Sequence, residues 1–317
     1  MMVTMPASSS AVPNKKLEHI SVCVCTYKRR ELLTRLVREV AKQQTEGMFT
    51  FSMVVADNDP DKSGESTVAD LQAETPFEIK YCWEPNRGIA WARNRVVSNA
   101  SGDYLAFIDD DEFPSPVWLN TLYKTCREYM TDGAFGPVKR HFDVSPPRWM
   151  LKSKFYDRRV NPTGTPVQWQ EARTGNVLLR RSVVGEDSAP FRPEFRVGED
   201  QDFFRRKMEE GRRFVWCAEA EAFETVPPFR WKRSYLMKKA LLRGSSAALQ
   251  PSCDSKSVAK SLIAVPFYAI ALPFSLIAGQ HRFMTILVSM CDHVGKLLAL
   301  VGIQPIKEAY VSEGSGA

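Results

Sequence analysis

Short apolar runs alternate with segments of helical periodicity over the first third of the chain. Residues 20–25 (ISVCVC) form a continuous run of β-branched and small residues, which is typical of a strand buried on both faces of a parallel sheet. Apolar residues then recur at helical spacing from Leu32 to Ala41, and a second buried run follows at residues 51–56. This order predicts one βαβ unit.

The same alternation continues with a helix around Val68, a strand at 79–83, a helix around Ala92 and a strand at 104–108. Repeated strands and helices in this order predict an α/β fold with an open, mostly parallel, doubly wound sheet. Further along, the pattern becomes irregular and rich in proline, until a helix begins near Asp200. We expect this second half to complete a site built on the sheet.

Two apolar stretches follow towards the C-terminal end. Residues 261–279 carry no charge and approach the roughly 20 residues that a membrane-spanning helix needs, although Pro266 and Pro273 interrupt them. Residues 283–303 contain two charged residues and a histidine, which is more typical of an amphipathic helix at a membrane interface. The pattern predicts hydrophobic membrane-associating helices, and a pair of soluble core helices stays open as the alternative.

The overall composition is that of a globular protein, with 44% hydrophobic and 25% charged residues. Residues 1–17 are rich in Ser, Pro and Met and lack the long apolar core of a secretory signal, which predicts a flexible tail and a cytoplasmic location for the folded part. Seven cysteines without a C-x-x-C pair indicate reduced, mostly buried thiols rather than a zinc site.

Much of the basic charge is concentrated between residues 230 and 243, where six basic residues occur without an acidic one. Next to an apolar stretch, such a run suits an anionic bilayer surface or a lipid diphosphate. A solvated helix face is the ordinary alternative. Because the run lacks an interleaved aromatic platform or a known helix motif, we expect no nucleic acid as a partner.

Polar residues follow three of the predicted strands. Thr26 and Tyr27 come after the first strand, Asp57 comes after the second, and residues 109–112 (DDDE) come after the strand at 104–108. In open α/β sheets the ligand binds outside the carboxyl ends of the strands. We therefore expect these side chains to line a common site.

The four consecutive carboxylates at 109–112 repel one another, and a bound cation would relieve that cost. Mg²⁺ typically uses one or two carboxylates together with substrate phosphates. The run therefore predicts a metal–diphosphate site. A solvated acidic turn that caps the next helix is the alternative, since Ser115 and Pro116 suit a helix start.

Six segments occur in an order that is more specific than any one of them: SVCVCTYKR, VVADNDP, NRGIAWARN, FIDDDEFP, TGNVLLRR and GEDQDFFRR. Through them the sequence resembles the inverting family-2 glycosyltransferases. The resemblance implies the nucleotide-diphospho-sugar transferase fold, called GT-A, as a domain at 18–245, followed by a hydrophobic helical region and tail at 246–317. It also implies a UDP-sugar donor and Mg²⁺ or Mn²⁺ as cofactor.

The first strands carry the donor contacts that the resemblance implies. Thr26 and Asp57 match the nucleoside contacts of the family, with Tyr27 beside them. Arg93 matches a residue that approaches the donor diphosphate. Together they place the uridine half of the donor over the start of the sheet.

The two acidic segments match the reacting part of the family site. Asp109 and Asp111 match the D-x-D pair that contacts the ribose and the metal, and Asp110 lies between them as a further donor contact. Asp200 matches the general base that takes the proton from the acceptor hydroxyl, and Glu199 orients it. A direct displacement on an α-linked donor would invert the anomeric centre to a β-glycoside.

The acceptor side is the least defined by the resemblance. The chain lacks the Q-x-x-R-W segment of processive synthases, which favours addition of a single sugar. The run RWKRSYLMKKALLRG is similar to segments of rhizobial exopolysaccharide (succinoglycan-type) glucosyltransferases, which extend an oligosaccharide on polyprenyl diphosphate. This implies transfer of a hexose, glucose by preference, at the cytoplasmic face of a bacterial inner membrane. Asn176, Arg233 and Arg243 are predicted to contact the acceptor or its diphosphate.

Two other classes of protein stay open from the sequence. A nucleotidyltransferase would share the acidic metal site, but it normally has a basic or glycine-rich phosphate loop near the first strand, and CTYKRRE contains no glycine. A catalytically silent sugar-nucleotide-binding scaffold would differ from the enzyme only in lacking turnover.

Overall fold

The computed structural model describes residues 16–195, 198–250 and 253–306. The strands within them are β1 (Glu18–Thr26), β2 (Phe49–Asp57), β3 (Ile79–Trp83), β4 (Tyr104–Ile108), β5 (Glu112–Pro114), β6 (Gly133–Phe135), β7 (Val138–His141), β8 (Asn176–Arg180), β9 (Phe214–Trp216) and β10 (Ala222–Thr225). The helices are α1 (Arg30–Val40), α2 (Glu65–Glu74), α3 (Ile89–Asn99), α4 (Trp118–Glu128), α5 (Arg148–Ser153), α6 (Glu199–Glu209), α7 (Arg233–Ala247), α8 (Ser255–Ser275) and α9 (Gln280–Leu300). All but the last two residues of the predicted tail at 1–17 lie outside this part of the chain.

Seven strands form one sheet in the order β3-β2-β1-β4-β8-β6-β9. β1 pairs in parallel with β2 and β4, whereas β8 runs antiparallel between β4 and β6. The prediction of a mostly parallel α/β sheet is therefore confirmed. Because β1, β2 and β4 run the same way, their carboxyl ends meet at one edge, where Thr26 lies beside Asp57 in the register.

Helices cover both faces of this sheet because successive strand residues point to opposite faces. Val22 of β1 belongs to a cluster with Leu36 of α1, whereas the next residue, Cys23, belongs to a second cluster with Val96 of α3. All four side chains are almost completely buried. The doubly wound arrangement expected from the apolar pattern is thus present.

A smaller sheet, in the order β5-β10-β7, extends from the acidic run. β5 begins at Glu112, and β10 pairs antiparallel with it so that Glu112 lies opposite Glu224. The backbone amide of Thr225 donates to the carbonyl of Asp111 at 2.9 Å. The irregular second half of the chain therefore supplies the strand that holds the backbone of the acidic run.

Helices α7, α8 and α9 pack together at the C-terminal end, with α9 in contact with both of the others. The approach of α7 to α9 requires glycine. A Cβ on Gly244 would lie 2.0 Å from the carbonyl oxygen of Asp292, and a Cβ on Gly295 would lie 2.3 Å from that of Leu241. The predicted domain boundary between 245 and 246 falls inside α7.

Helices α8 and α9 are both long and apolar enough to cross a membrane, which bears out the prediction of two apolar C-terminal helices. α8 continues through Pro266 and Pro273, although prolines ordinarily interrupt a helix. Its large apolar side chains are exposed, including Ile263, Phe267 and Ile270, each at least 66% accessible. A soluble core helix would bury these side chains.

Candidate active site

The acidic run after β4 is bound by residues from the end of β1. The hydroxyl of Thr26 donates to Asp110 Oδ2 at 2.8 Å, and Nη1 of Arg29 donates to Asp110 Oδ1 at 2.7 Å. The same nitrogen lies 3.3 Å from Asp111 Oδ2. Burial raises the pKa of Asp110 to about 6, with a further contribution from Asp111 and against the pull of Arg29.

A buried arginine from the turn before α7 completes this contact from the other side. Arg230 donates through Nη2 to Asp111 at 2.7 Å and through Nη1 to Glu224 at 2.6 Å. Arg158 donates to the second oxygen of Glu224 at 2.8 Å. Although burial opposes it, Arg230 and Arg29 hold the pKa of Asp111 below its ordinary value. Two arginines thus neutralise the carboxylate that the D-x-D match assigns to a metal.

The first carboxylate of the run is presented differently. The side chain of Asp109 is 42% exposed, and the nearest guanidinium nitrogen, Nη2 of Arg93, lies 3.8 Å away. Beside it, Oε1 of the buried Glu112 has no hydrogen-bond partner. A Cβ on Gly175 would lie 2.6 Å from Glu112 Oε1 and 3.3 Å from Asp109 Oδ2, so glycine leaves room for both carboxylates. Burial and the charge of Asp109 raise the pKa of Glu112 well above its usual value.

These residues fit a divalent ion that is shared with a phosphorylated ligand. In the described part of the chain, no three His, Cys, Asp or Glu side chains surround one point as a complete protein cage would. Mg²⁺ needs only one or two carboxylates when phosphates supply the remaining oxygens. The exposed carboxylate of Asp109 supplies negative charge at this point, and the unpaired oxygen of Glu112 offers a second oxygen ligand, whose ionised form a bound cation would favour. Asp111 would have to exchange an arginine for the ion.

The second acidic segment begins α6 and is tied to the first by Arg93. Glu199 is buried and forms an ion pair with Nη1 of Arg93, whose Nη2 faces Asp109. Asp200 is partly exposed, and its Oδ1 accepts from the amide of Gln201 at 2.7 Å. Burial, followed by repulsion from Asp200, raises the pKa of Glu199 to about 7 in spite of Arg93. Carboxylates separated by about ninety positions are therefore joined by one guanidinium.

The predicted nucleoside contacts lie at the same edge of the sheet, but Asp57 is engaged within the protein. Its carboxylate is buried and accepts from the amides of Asp59 at 3.0 Å and Gly64 at 2.7 Å, and from the hydroxyl of Tyr81 at 3.1 Å. Tyr27 is partly exposed at this edge. In this conformation Asp57 shapes the loop after β2 and presents no free oxygen.

None of the three predicted acceptor residues presents a free side chain at the acidic run, although Asn176 lies opposite Ile108, directly before the run. The amide of Asn176 is buried: its oxygen accepts from the indole of Trp118 at 2.7 Å, and its nitrogen donates to two backbone carbonyls. Arg233 begins α7, and its Nη2 donates to Gln280 at 2.8 Å when the Gln280 amide is assigned the orientation that satisfies both of its polar atoms. Arg243 pairs with Asp292 of α9, with Nε at 2.8 Å from Oδ1. Asn176 thus joins β8 to Trp118 and to two backbone carbonyls, and the two arginines lie on α7, where it packs against α9.

Four arginine and glutamate residues of the site were missed by sequence reasoning: Arg29, Arg158, Glu224 and Arg230. The sequence did contain a signal for Arg29, because three basic residues follow the first strand in CTYKRRE. A second signal, for Arg230, lay in the F-R-W segment, which resembles the end of Q-x-x-R-W. The other two stand in stretches without a pattern of their own.

Solved structures share this architecture. The mannosyltransferase PcManGT from Pyrobaculum calidifontis, solved with GDP-Man and Mn²⁺, matches with a TM-score of 0.60 and 16% identity over 90% of this chain and 88% of its own. S. aureus TarS 1-349 in complex with UDP matches with a TM-score of 0.51 and 16% identity over 93% and 95%. At such low identity these matches show the fold alone, and they confirm the expected GT-A architecture.

Sequence comparison defines the family. The succinoglycan biosynthesis protein ExoM of Rhizobium meliloti (strain 1021) is 35% identical over 96% of this chain and 100% of its own length. A glucosyl-dolichyl phosphate glucuronosyltransferase of Haloferax volcanii is 32% identical over 33% of each chain. The family model for glycosyl transferase family 2 matches residues 21–186, which span the acidic run and the parallel strands. The chain is a glycosyltransferase, and it belongs to glycosyl transferase family 2.

Proposed function

We propose that this enzyme transfers a hexose, glucose by preference, from a UDP-sugar to a lipid-linked saccharide with inversion, in the synthesis of an exopolysaccharide. The observation that carries the proposal is the contact of Arg93 with both Asp109 and Glu199, because it holds the donor-side and acceptor-side carboxylates at one place. The name of the ExoM relative supports the exopolysaccharide, and the UDP in the TarS structure supports the donor base.

Asp200 is the residue that we assign to proton transfer. It is the second residue of α6 and stays partly exposed, so an acceptor hydroxyl can reach it. A general base must come within hydrogen-bond reach of the hydroxyl whose proton it takes. As the hydroxyl oxygen attacks the anomeric carbon, Asp200 takes its proton and the bond to the donor diphosphate breaks.

Arg93 and Glu199 would hold this geometry. Arg93 is buried, and its guanidinium can carry a hydrogen bond to a departing diphosphate while it remains paired with Glu199. Glu199 therefore acts as a positioning residue for Arg93 and, through the backbone of α6, for Asp200. When bound by Asp109 and Asp111 with the donor, Mg²⁺ or Mn²⁺ would neutralise negative charge on the leaving group.

The two apolar helices α8 and α9 suggest how the enzyme would meet a lipid-linked acceptor. α9 is held against α7, and Asp292 in its middle pairs with Arg243. α8 packs against α9 and turns its apolar side chains outwards. Because α9 is attached to the catalytic part, we expect α8 to lie in one leaflet rather than the pair to cross the bilayer. The site would then face the cytoplasmic surface of a bacterial inner membrane.

A donor screen with membrane extract tests the function. Purified protein is incubated with labelled UDP-glucose, UDP-galactose or GDP-mannose, Mg²⁺ and lipid extract, and label in the lipid phase is counted. Asp200→Asn should abolish transfer while leaving UDP binding nearly intact, and Asp111→Asn should weaken metal-dependent donor binding. Asp70→Asn, on the exposed face of α2, serves as the control. Binding of UDP without transfer of any sugar would instead indicate a silent scaffold.

A further inference from the structure

A cavity of about 410 Å³ lies between α5, α7 and α9, and it belongs to neither the acidic run nor the nucleoside edge. Its walls carry four basic side chains, Lys154, Arg158, Lys239 and Arg243. Two acidic side chains, Glu224 and Asp292, also line it. The volume falls in the range of small-ligand sites, and the chemistry of the walls indicates an anionic ligand.

The two carboxylates of the cavity are already neutralised. Glu224 accepts from Arg158 at 2.8 Å and from Arg230 at 2.6 Å, and Asp292 accepts from Arg243. Among the described residues no ion pair involves Lys239, whose ammonium lies 5.9 Å from the ring centroids of Tyr156 and Tyr235. The four basic side chains outnumber the two acidic ones, so the cavity wall carries an excess of positive charge.

Two further observations mark this charge as unusual. Lys239 is exposed as a whole residue, but its ammonium lies close to protein atoms, and this desolvation, together with repulsion from Arg230, lowers the pKa of the amine to about 8. Lys154 directly follows α5 and adopts the left-handed region at φ +57°, a strained conformation for a residue with a side chain. Such strain is common at ligand contacts.

The cavity is connected to the acidic run through Arg230. The hydroxyl of Tyr156 donates to the carbonyl of Arg230 at 3.0 Å, and the guanidinium of Arg230 joins Glu224 in the cavity wall to Asp111. A ligand group in the cavity would therefore lie one arginine side chain away from the D-x-D segment. The predicted nucleoside contacts Thr26 and Tyr27 lie elsewhere, at the end of β1.

We propose that this cavity binds the diphosphate group of the acceptor, with Lys154 and Lys239 as its primary contacts. The inference rests on the proposed function, because the acceptor supplies the diphosphate. The diphosphate of the nucleotide donor or product offers the same chemistry, and the experiment must separate the two sources. No residue that the structure describes forms an ion pair with either ammonium group, and two such groups match a ligand that carries two negative charges.

Lys239→Met and Lys154→Met remove the charge and keep an aliphatic side chain, and Lys152→Met, at an exposed position of α5, is the matched control. The full-length enzyme is assayed at saturating UDP-sugar while the lipid extract is varied. Each cavity variant should raise the apparent KM for the extract roughly tenfold, the effect of one charged contact, with the KM for UDP-sugar unchanged. Binding of inorganic pyrophosphate, measured by calorimetry in the presence of UDP, should weaken in parallel.

The outcomes separate the cavity from the proposed function. An unchanged KM for the extract, or an equal loss of UDP binding, would overturn the cavity as an acceptor site. If the wild-type enzyme transfers no sugar but binds pyrophosphate through Lys239, the proposed function fails and the diphosphate site stands. Retained UDP binding in Lys239→Met also shows that the variant is folded.

Discussion

Arg230 provides a quantitative test of how the acidic run is held. Its guanidinium joins Asp111 to Glu224, and only 9% of its side chain is accessible to solvent. Removing one partner of a buried ion pair typically costs 3–5 kcal/mol, because a charge is left without compensation. Here each carboxylate keeps a second arginine, since Arg29 lies 3.3 Å from Asp111 and Arg158 lies 2.8 Å from Glu224. We therefore expect Arg230→Met to cost about 3 kcal/mol, the lower end of that range.

The assay is thermal unfolding of the purified enzyme without nucleotide. A loss of about 3 kcal/mol corresponds to a decrease in Tm of about 4–5 °C for a chain of 317 residues, at roughly 2.1 cal/mol/K of unfolding entropy per residue. Arg148→Met, at an exposed position of α5, should leave the Tm unchanged. A second measurement combines Arg230→Met with Glu224→Gln: because the two side chains interact, the double variant should be more stable than the sum of the single effects predicts.

A decrease in stability below about 1 kcal/mol would refute this reasoning, since that is the value of an exposed ion pair. It would mean that Asp111 and Glu224 are adequately neutralised by Arg29 and Arg158 alone. Additive effects in the double variant would lead to the same conclusion.

Three further changes test other parts of the structure. Gly244→Ala forces a Cβ against the backbone of α9, so α9 should detach and the Tm should fall. Ser246→Ala on the same helix should have little effect on the Tm. Equal Tm values for the two variants would contradict the packing of α7 on α9. Because the pKa of Glu199 is raised to about 7, the carboxylate takes up a proton and loses its pairing with Arg93 as the pH falls through 7. The transfer rate of the wild-type enzyme should therefore decline over that range. Glu199→Gln should transfer sugar more slowly, and its rate should depend less on pH. Phe267→Gln with Ile270→Gln on the exposed face of α8 should release the enzyme from membranes while UDP binding is kept; retention in the membrane pellet would argue against a role for this face.

The sequence predicted the α/β sheet because its information is local. The apolar run at 20–25 and the helical spacing from Leu32 to Ala41 each depend on residues that are close in the chain, and they agree with β1 and α1. The acidic run was recognisable for the same reason, since four consecutive carboxylates after a buried strand repel one another unless cations compensate them.

The roles of individual side chains at the site depended on distant contacts. Asp57 could be placed at a strand end from the sequence, but its three internal hydrogen bonds arise from the turn at Gly64 and from Tyr81 on the neighbouring strand. Asn176 likewise lies in a segment that resembles the family, and only its surroundings show that its amide joins Trp118 to two backbone carbonyls.

The sequence by itself thus determined the family, the order of strands and helices, and the position of the carboxylates along the chain. Only the tertiary structure decided which cations meet those carboxylates. Arg230 and Asp111 are 119 positions apart, and they touch because β10 pairs with β5 and carries the following turn to the acidic run. Such pairing is set by the packing of the whole domain, and no periodicity in the residues between them records it.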